Sequence, residues 1–352
     1  MNKNREFTKA LIMWYLVNKR DLPWRKTKDP YSIWLSEIIL QQTKIAQGTS
    51  YYEKFIHEFP DVFTLAEAEE AQVLKLWQGL GYYSRARNLH VTAKFISEEL
   101  NGYFPDNYKQ LLQLKGIGDY TASAIASIAF ARPNATVDGN VYRVLARFFG
   151  IHTPIDSSAG TREFKELAQA LLDPDDPGTS NQAIMEFGAL VCTPRNPDCS
   201  NCVLNRSCHA VQTGSVYDLP VKKGKAKIRN RYFNYFVLNV QSEQTRIRRR
   251  SGSDIWKHLY EFPLYESEQP VEDFDELQPL VADEFSPKEM YRVKKFNRDP
   301  LVHKLSHQHL HTTFWIIETE ELLGGTISWN ALQNHALPVL LQNFVDKYRK
   351  AD

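Results

Sequence analysis

No run of 18 apolar residues occurs in this sequence, so no membrane-spanning helix is predicted. Charge of one sign is also missing. The 43 Lys and Arg against 42 Asp and Glu leave a net charge of +1, which excludes a uniformly basic polyanion binder but not a local basic face. Cysteine is scarce: 4 in 352 residues, all between 192 and 208, so none remains to link distant segments as an oxidising compartment favours. Internal repeats and low-complexity tracts are absent as well. The amino end, MNKNREFTKALIMWYLVNKR, has no small-residue cleavage site, and Arg5 and Glu6 lead into a periodic pattern. It reads as a helix rather than a signal peptide. The compartment expected from this is cytoplasmic, nucleoid-associated if DNA is the partner.

What is present suits a folded protein of two domains: 352 residues, 43% hydrophobic and 24% charged. Periodicity predicts helices over residues 5–19, from Pro30 to Gln42, and over 49–58, 64–77 and 84–99. Further helices are predicted over 120–130, 141–149, 158–172 and 179–191, with no convincing strand among them. Residues 222–231, KKGKAKIRNR, hold six basic residues in ten. They read as a solvated linker or as a linker that also touches phosphates. Tyr232 to Val240 alternates aromatic and β-branched residues as a strand does, Thr312 to Glu320 reads as another strand, and a helix is expected over 339–348. The expected organisation is a helical domain over 1–217, a basic linker over 218–231 and an α+β domain over 232–352.

Four features carry candidate chemistry. Gly116-Ile117-Gly118 interrupts two helical patterns, and such a turn is either an ordinary helix joint or an anion-binding hairpin that exposes backbone N–H groups. Cys192-x6-Cys199-x2-Cys202-x5-Cys208 can wrap one centre, zinc or a cubane iron–sulfur cluster, and spacing leaves both open. Glu37 lies among Trp34, Leu35, Ile38, Ile39 and Leu40. Burial there would raise its pKa towards that of a neutral-pH acid, whereas the plain alternative is a carboxylate placed for a helix dipole. Asp138 precedes Gly139-Asn140-Val141 and reads from sequence as a helix cap.

Together with Leu22-Pro23-Trp24-Arg25, Trp34 to Thr43 (WLSEIILQQT), Gln78 to Arg87 (QGLGYYSRAR) and Val137-Asp138-Gly139-Asn140, these features resemble the endonuclease III superfamily of helix-hairpin-helix base-excision glycosylases, and within it the adenine-removing branch. The resemblance spans nearly the whole chain. It implies an all-α helix-hairpin-helix glycosylase domain, a six-helix barrel with an iron–sulfur subdomain, followed by an α+β Nudix-like domain. It makes Cys192, Cys199, Cys202 and Cys208 the ligands of one [4Fe-4S] cluster. Glu37 would protonate adenine N7 and then activate water, and Asp138 would stabilise the positive sugar, with overall retention and with Asn140 ordering the site. Position 120 is tyrosine where strand-cutting members carry a lysine, and Lys115 is out of register with that nucleophile. A monofunctional glycosylase is therefore expected, with Tyr120 near the sugar. Gln42 would fill the gap left by the extruded adenine, and Tyr82 would wedge beside 8-oxoguanine. Arg25, Leu40 and Gln41 would line the same region, Glu186 the adenine pocket, and Gly116 and Gly118 would hold the strand. Ser306 and His307 match the loop that probes 8-oxoguanine, with Leu305 in place of its usual phenylalanine. The expected partner is double-stranded DNA containing A:8-oxoG or A:G, bound by a monomer with no membrane contact, with replication or mismatch-repair proteins as further partners.

Overall fold

The structure is a computed structural model that describes residues 3–224, 228–279, 291–320 and 324–351. The chain divides into two compact units, Met1–Ala68 with Asn88–Gly224, and Glu69–Arg87 with Lys225–Asp352.

The first unit is built from α1 (Lys3–Asn18), α2 (Pro30–Leu40), α3 (Ile45–Glu58) and α4 (Val62–Glu67). After an excursion into the second unit that contains α5 (Glu70–Leu76), it resumes along α6 (Ser84–Glu99). It continues through α7 (Tyr108–Leu111), α8 (Asp119–Phe130), α9 (Gly139–Phe149), α10 (Ser158–Leu171), α11 (Pro177–Leu190) and α12 (His209–Gln212). Helix starts follow the capping chemistry in the sequence. Asp29 accepts from the Ser32 N–H at 2.8 Å with Pro30 in the first turn of α2, and Asp176 does the same for Thr179 at 3.1 Å ahead of α11. Each such cap contributes about 1 kcal/mol. The single helix expected over 64–77 is two. Asp61 with Thr64, and Glu69 with Gln72, each form a reciprocal capping box, so a second helix starts where Ala68 turns extended.

Between α7 and α8 the chain makes the glycine turn. Gly116 sits at φ +80, where a side chain is strained, and a Cβ there would lie 2.6 Å from Asn88 Cβ. Gly118 then caps α8 in an extended conformation. The buried face of α8 is small, Thr121 to Ser127 with three alanines, which lets α2 and α11 pack closely against it.

The second unit is a mixed sheet. Its strands are β1 (Arg229–Val240), β2 (Gln244–Thr245), β3 (Arg248–Arg249), β4 (Tyr260–Glu261), β5 (Leu264–Ser267), β6 (Arg292–Lys295), β7 (Leu301–Lys304), β8 (Gln308–Thr319) and β9 (Ile327–Ser328). The path runs β6-β8-β1-β2-β9, with β5 also on β1 and β7 also on β8, while β3 and β4 pair separately. At the centre β1 and β8 run parallel from Arg229 opposite Gln308 to Val240 opposite Thr319. Phe233, Tyr235, Val237, Phe314 and Ile316 face α13 (Val339–Ala351), where the Phe314 and Phe344 rings stack at 4.0 Å. Phe236, Leu238, Val240, Trp315 and Ile317 fill the opposite face. The strand pattern expected over 232–240 is present, with both faces covered.

Two boundaries differ from the sequence reading. Residues 225–227 of the expected linker lie outside the described residues, but its end is strand. Arg231 is buried and binds Glu266 and Asp254 with paired hydrogen bonds of 2.6–2.9 Å, so it is neither solvated nor free for a phosphate. The second unit also takes in Glu69–Arg87. Glu70 Oε1 accepts from Arg249 Nη2 at 2.7 Å and meets His258 Nδ1 at 2.7 Å, Lys75 Nζ donates to the His335 carbonyl at 3.1 Å, and Gln78 Nε2 donates to Gln342 Oε1 at 2.8 Å.

Candidate active site

Glu37 and Asp138 line one cavity of ≈ 260 Å³ in the first unit, with Tyr120, Asn140, Arg20, Arg25, Leu40, Met185 and Glu186 among its walls. The volume lies just below the range of roughly 300–1,000 Å³ for drug-sized ligands and suits a small planar group. Glu37 comes from the third turn of α2, all but buried, and its pKa is pushed up to about 7. Burial is the main cause. A hydrogen bond from Tyr120 lowers it, the charge of Asp138 raises it and Arg25 lowers it. The Tyr120 hydroxyl has one proton, and it also stands 3.3 Å from Met185 Sδ. An ionised carboxylate is the stronger acceptor, so that proton turns to Glu37 whenever Glu37 is charged.

Asp138 is a helix cap and more. Its Oδ1 accepts from the N–H groups of Asn140 at 2.9 Å and Val141 at 2.8 Å, at the start of α9. Its Oδ2 accepts from Asn140 Nδ2 at 2.7 Å. Burial raises its pKa, and these three donors pull back against that rise. Asn140 is fixed in turn by Arg143, whose Nη2 donates to Asn140 Oδ1 at 2.8 Å and to the Gly188 carbonyl at 2.7 Å. Burial raises both carboxyls, and Asp138 has the larger set of donors opposing the rise. Glu37 has no such set of backbone donors and keeps a proton near neutrality, whereas Asp138 is built to hold its charge.

The far wall is an ion cluster. Glu186 Oε1 accepts from the Arg20 N–H at 3.0 Å, Arg20 Nε at 2.8 Å and Arg25 Nη1 at 2.9 Å, and Oε2 from Arg20 Nη2 at 2.6 Å and Arg25 Nη2 at 2.8 Å. Burial alone would raise the Glu186 pKa, but the arginine hydrogen bonds outweigh it and hold it down to about 2. It stays a fixed anion and is not a second acid.

A groove of ≈ 630 Å³ leads from Glu37 and Asp138 past Leu40, Gln41, Gln42 and Tyr120 to Gly116, Gly118 and Asp119. Gln41 Nε2 donates to Thr121 Oγ1 at 3.3 Å, and Gln42 sits at φ 55 just beyond the end of α2. The structure thus brings Arg25, Leu40, Gln41, Gln42, Gly116 and Gly118 to the same cavity and groove as Glu37, Tyr120, Asp138 and Asn140. Tyr82, Ser306 and His307 belong to the second unit. There the Tyr82 hydroxyl hydrogen-bonds Ser306 Oγ, and the His307 carbonyl accepts from the Arg229 N–H at 3.1 Å. Sequence reasoning missed Arg20, Arg143 and Met185. Arg143, three residues after Asn140 on α9, is the one that helical spacing could have found.

The cysteine expectation is corrected. Among the described residues no group of three or more His, Cys, Asp or Glu side chains gathers to hold a metal ion, so the [4Fe-4S] cluster ligated by Cys192, Cys199, Cys202 and Cys208 does not fit. The sulfurs are used within the protein. Cys192 Sγ accepts from Arg147 Nη1 at 3.5 Å, Cys202 Sγ accepts from the Leu204 N–H at 3.4 Å, and Cys208 Sγ donates to the Arg147 carbonyl at 3.5 Å. Burial first, with the charges of the neighbouring cysteines, pushes the Cys202 thiol up to about 11 and also raises Cys199 and Cys208.

Residues 35–170 match the family profile described as the HhH-GPD superfamily of base excision DNA repair proteins, and residues 234–347 match the NUDIX domain. An adenine DNA glycosylase of Buchnera aphidicola (subspecies Baizongia pistaciae) is 33% identical over 98% of this chain and 97% of its own length. The human adenine DNA glycosylase is 45% identical over 58% of this chain and 39% of its own length. Among solved structures, a thermostable thymine-DNA glycosylase is 30% identical and superimposes with a TM-score of 0.56 over 60% of this chain and 98% of its own. The chain belongs to the adenine DNA glycosylases, a family of the HhH-GPD superfamily that here carries a Nudix-like second domain.

Proposed function

We propose that this protein is an adenine-specific DNA glycosylase that hydrolyses the N-glycosidic bond of adenine mispaired with 8-oxoguanine or guanine and leaves the strand intact. The observation that carries this reading is the pair in one base-sized cavity, a buried Glu37 with a pKa of about 7 and an Asp138 held by three donors. Protonated Glu37 gives its proton to the departing base, which leaves as neutral adenine. The resulting carboxylate then takes a proton from the incoming water. As the bond lengthens, positive charge grows on the sugar, and the Asp138 carboxylate stabilises it at the anomeric carbon.

DNA binding by the first unit is supported by the helix-hairpin-helix fold and the groove that joins Gly116 and Gly118 to the cavity. A base must leave the stack to reach such a cavity, and Gln42 beside the groove is the residue assigned to fill the gap. Recognition of 8-oxoguanine is assigned to Tyr82, Ser306 and His307 in the second unit. Absence of strand cleavage is assigned to Tyr120, which offers no amine for a Schiff base.

A base-release assay with adenine opposite 8-oxoguanine, guanine and thymine tests the reading. Free adenine should appear from the first two duplexes and disappear with Glu37→Gln or Asp138→Asn. Equal release opposite thymine, or release that survives both substitutions, overturns it.

A further inference from the structure

The groove proposed for the DNA strand contains a carboxylate that the reaction does not use. Asp119 follows Gly118 directly, opens α8 and lines the groove with both turn glycines. A polyanion entering there meets Glu37, Asp138 and Asp119, and only the first two have chemical work. An unscreened carboxylate beside a phosphate site would repel the strand and cancel part of the positive end of the helix.

Asp119 is not left unscreened. Its Oδ1 accepts from Lys165 Nζ and from the Tyr108 hydroxyl, and Lys165 Nζ lies 3.2 Å from the same hydroxyl. Lys165 also lies over the Tyr108 ring, 5.1 Å from its centroid. Three elements meet in this cluster: α7 before the glycine turn, α8 after it, and α10. As a stability element it is minor, since Lys165 and Asp119 side chains are 42% and 50% exposed and exposed pairs contribute little. Its position beside the groove gives it another use.

We infer that Lys165 and Tyr108 are positioning residues for strand binding, which draw the Asp119 carboxylate back and neutralise it so that the phosphate backbone can lie across the glycine turn. The inference rests on the reading of the groove as the DNA strand's path. Lys165 acts through Asp119 rather than by touching phosphate, and that distinction is measurable.

The test is equilibrium binding of the full-length protein to a duplex carrying adenine opposite 8-oxoguanine, in a salt series, for four proteins: wild type, Lys165→Met, Asp119→Asn and the double variant. Lys165→Met should weaken binding about threefold at low salt and less at high salt, the scale for one exposed charge near a phosphate. Asp119→Asn should bind at least as tightly as wild type, and in that background Lys165→Met should cost nothing. Lys165→Arg should retain wild-type affinity. An equal loss from Lys165→Met in both backgrounds makes Lys165 a direct phosphate contact and overturns the inference. So does unchanged affinity in every variant, and so does a loss that follows a fall in melting temperature in both backgrounds. A wild-type protein that fails to bind the duplex at all defeats the functional reading instead.

Discussion

Asn140 Nδ2 donates to Asp138 Oδ2 at 2.7 Å while the backbone N–H of the same Asn140 donates to Asp138 Oδ1 at 2.9 Å, so one residue holds both oxygens of the carboxylate. The first bond orients the oxygen left over by helix capping. Asn140→Ala should keep the backbone bonds and lose this one. Single-turnover adenine release should fall on the order of 10²-fold, the scale for losing one preorganised donor, while duplex affinity stays close to wild type. An unchanged rate would show that Asp138 is held by its capping bonds alone.

Glu37 gives the pH dependence. A carboxyl raised from 4.5 to about 7 still holds its proton in about half of the molecules at neutrality, so base release should decline as pH rises through about 7. The same shift acts on stability. The folded state binds the Glu37 proton more tightly than the unfolded chain does, so its contribution is fully present below about 4.5 and lost as pH rises through about 7. Glu37→Gln should therefore be inactive, yet more stable than wild type at pH 8 by up to about 3 kcal/mol, at about 1.4 kcal/mol for each tenfold in proton affinity. At pH 4 the advantage should vanish. Chemical denaturation at the two pH values measures both.

Glu186 titrates the other way. Held down to about 2 by Arg20 and Arg25, it contributes stability above about 4.5 that is lost as pH falls towards 2. Glu186→Gln leaves two guanidiniums beside the cavity without their anion. The expected cost is about 3–5 kcal/mol, the range for removing one partner of a buried pair. Denaturant melts of the purified variant read it, and a cost below 1 kcal/mol would mean that water already screens the cluster.

Position 120 separates two outcomes at the abasic site. Borohydride should trap no covalent complex between the wild-type protein and a strand from which adenine has been released. Tyr120→Lys places an amine in the cavity beside Asp138 and should produce trapping, with slow strand cleavage. Trapping by the wild-type protein would point to Lys115 or another amine and end the monofunctional assignment.

Gly116→Ala tests the turn. A non-glycine residue at φ +80 costs about 1–3 kcal/mol, and the added Cβ would meet Asn88 Cβ at 2.6 Å. Duplex affinity should fall along with the melting temperature.

The sequence made local features legible because their causes are local. Asp29-Pro30, the glycine pair and the alternating run from Tyr232 to Val240 each carry the chemistry of the element they start or form. Asp138 was readable as a cap, and it is one, but only the fold brings it to the cavity of Glu37. The break at Ala68 was hidden because Asp61–Thr64 and Glu69–Gln72 look like ordinary helical residues until their side chains bond backward. Arg20 and Glu186 are far apart in sequence, and nothing in either stretch announces the other. The cysteine spacing suggested a shared centre, but spacing does not reveal that Arg147 and the Leu204 N–H engage the sulfurs.

Membership of Glu69–Arg87 in the second unit has a consequence for how the chain is made. These residues leave the ribosome long before the sheet they belong to, whose central pair closes only when β8 has been synthesised. Until then Gln78 has no Gln342, Lys75 no His335 carbonyl and Glu70 no Arg249. These three hydrogen bonds therefore join residues of the first quarter of the sequence to partners made near its end. A chain ending at Gly224 would keep both catalytic carboxyls yet lack these partners of Glu70, Lys75 and Gln78, so the carboxyl-terminal half completes hydrogen bonding encoded in the first quarter of the sequence.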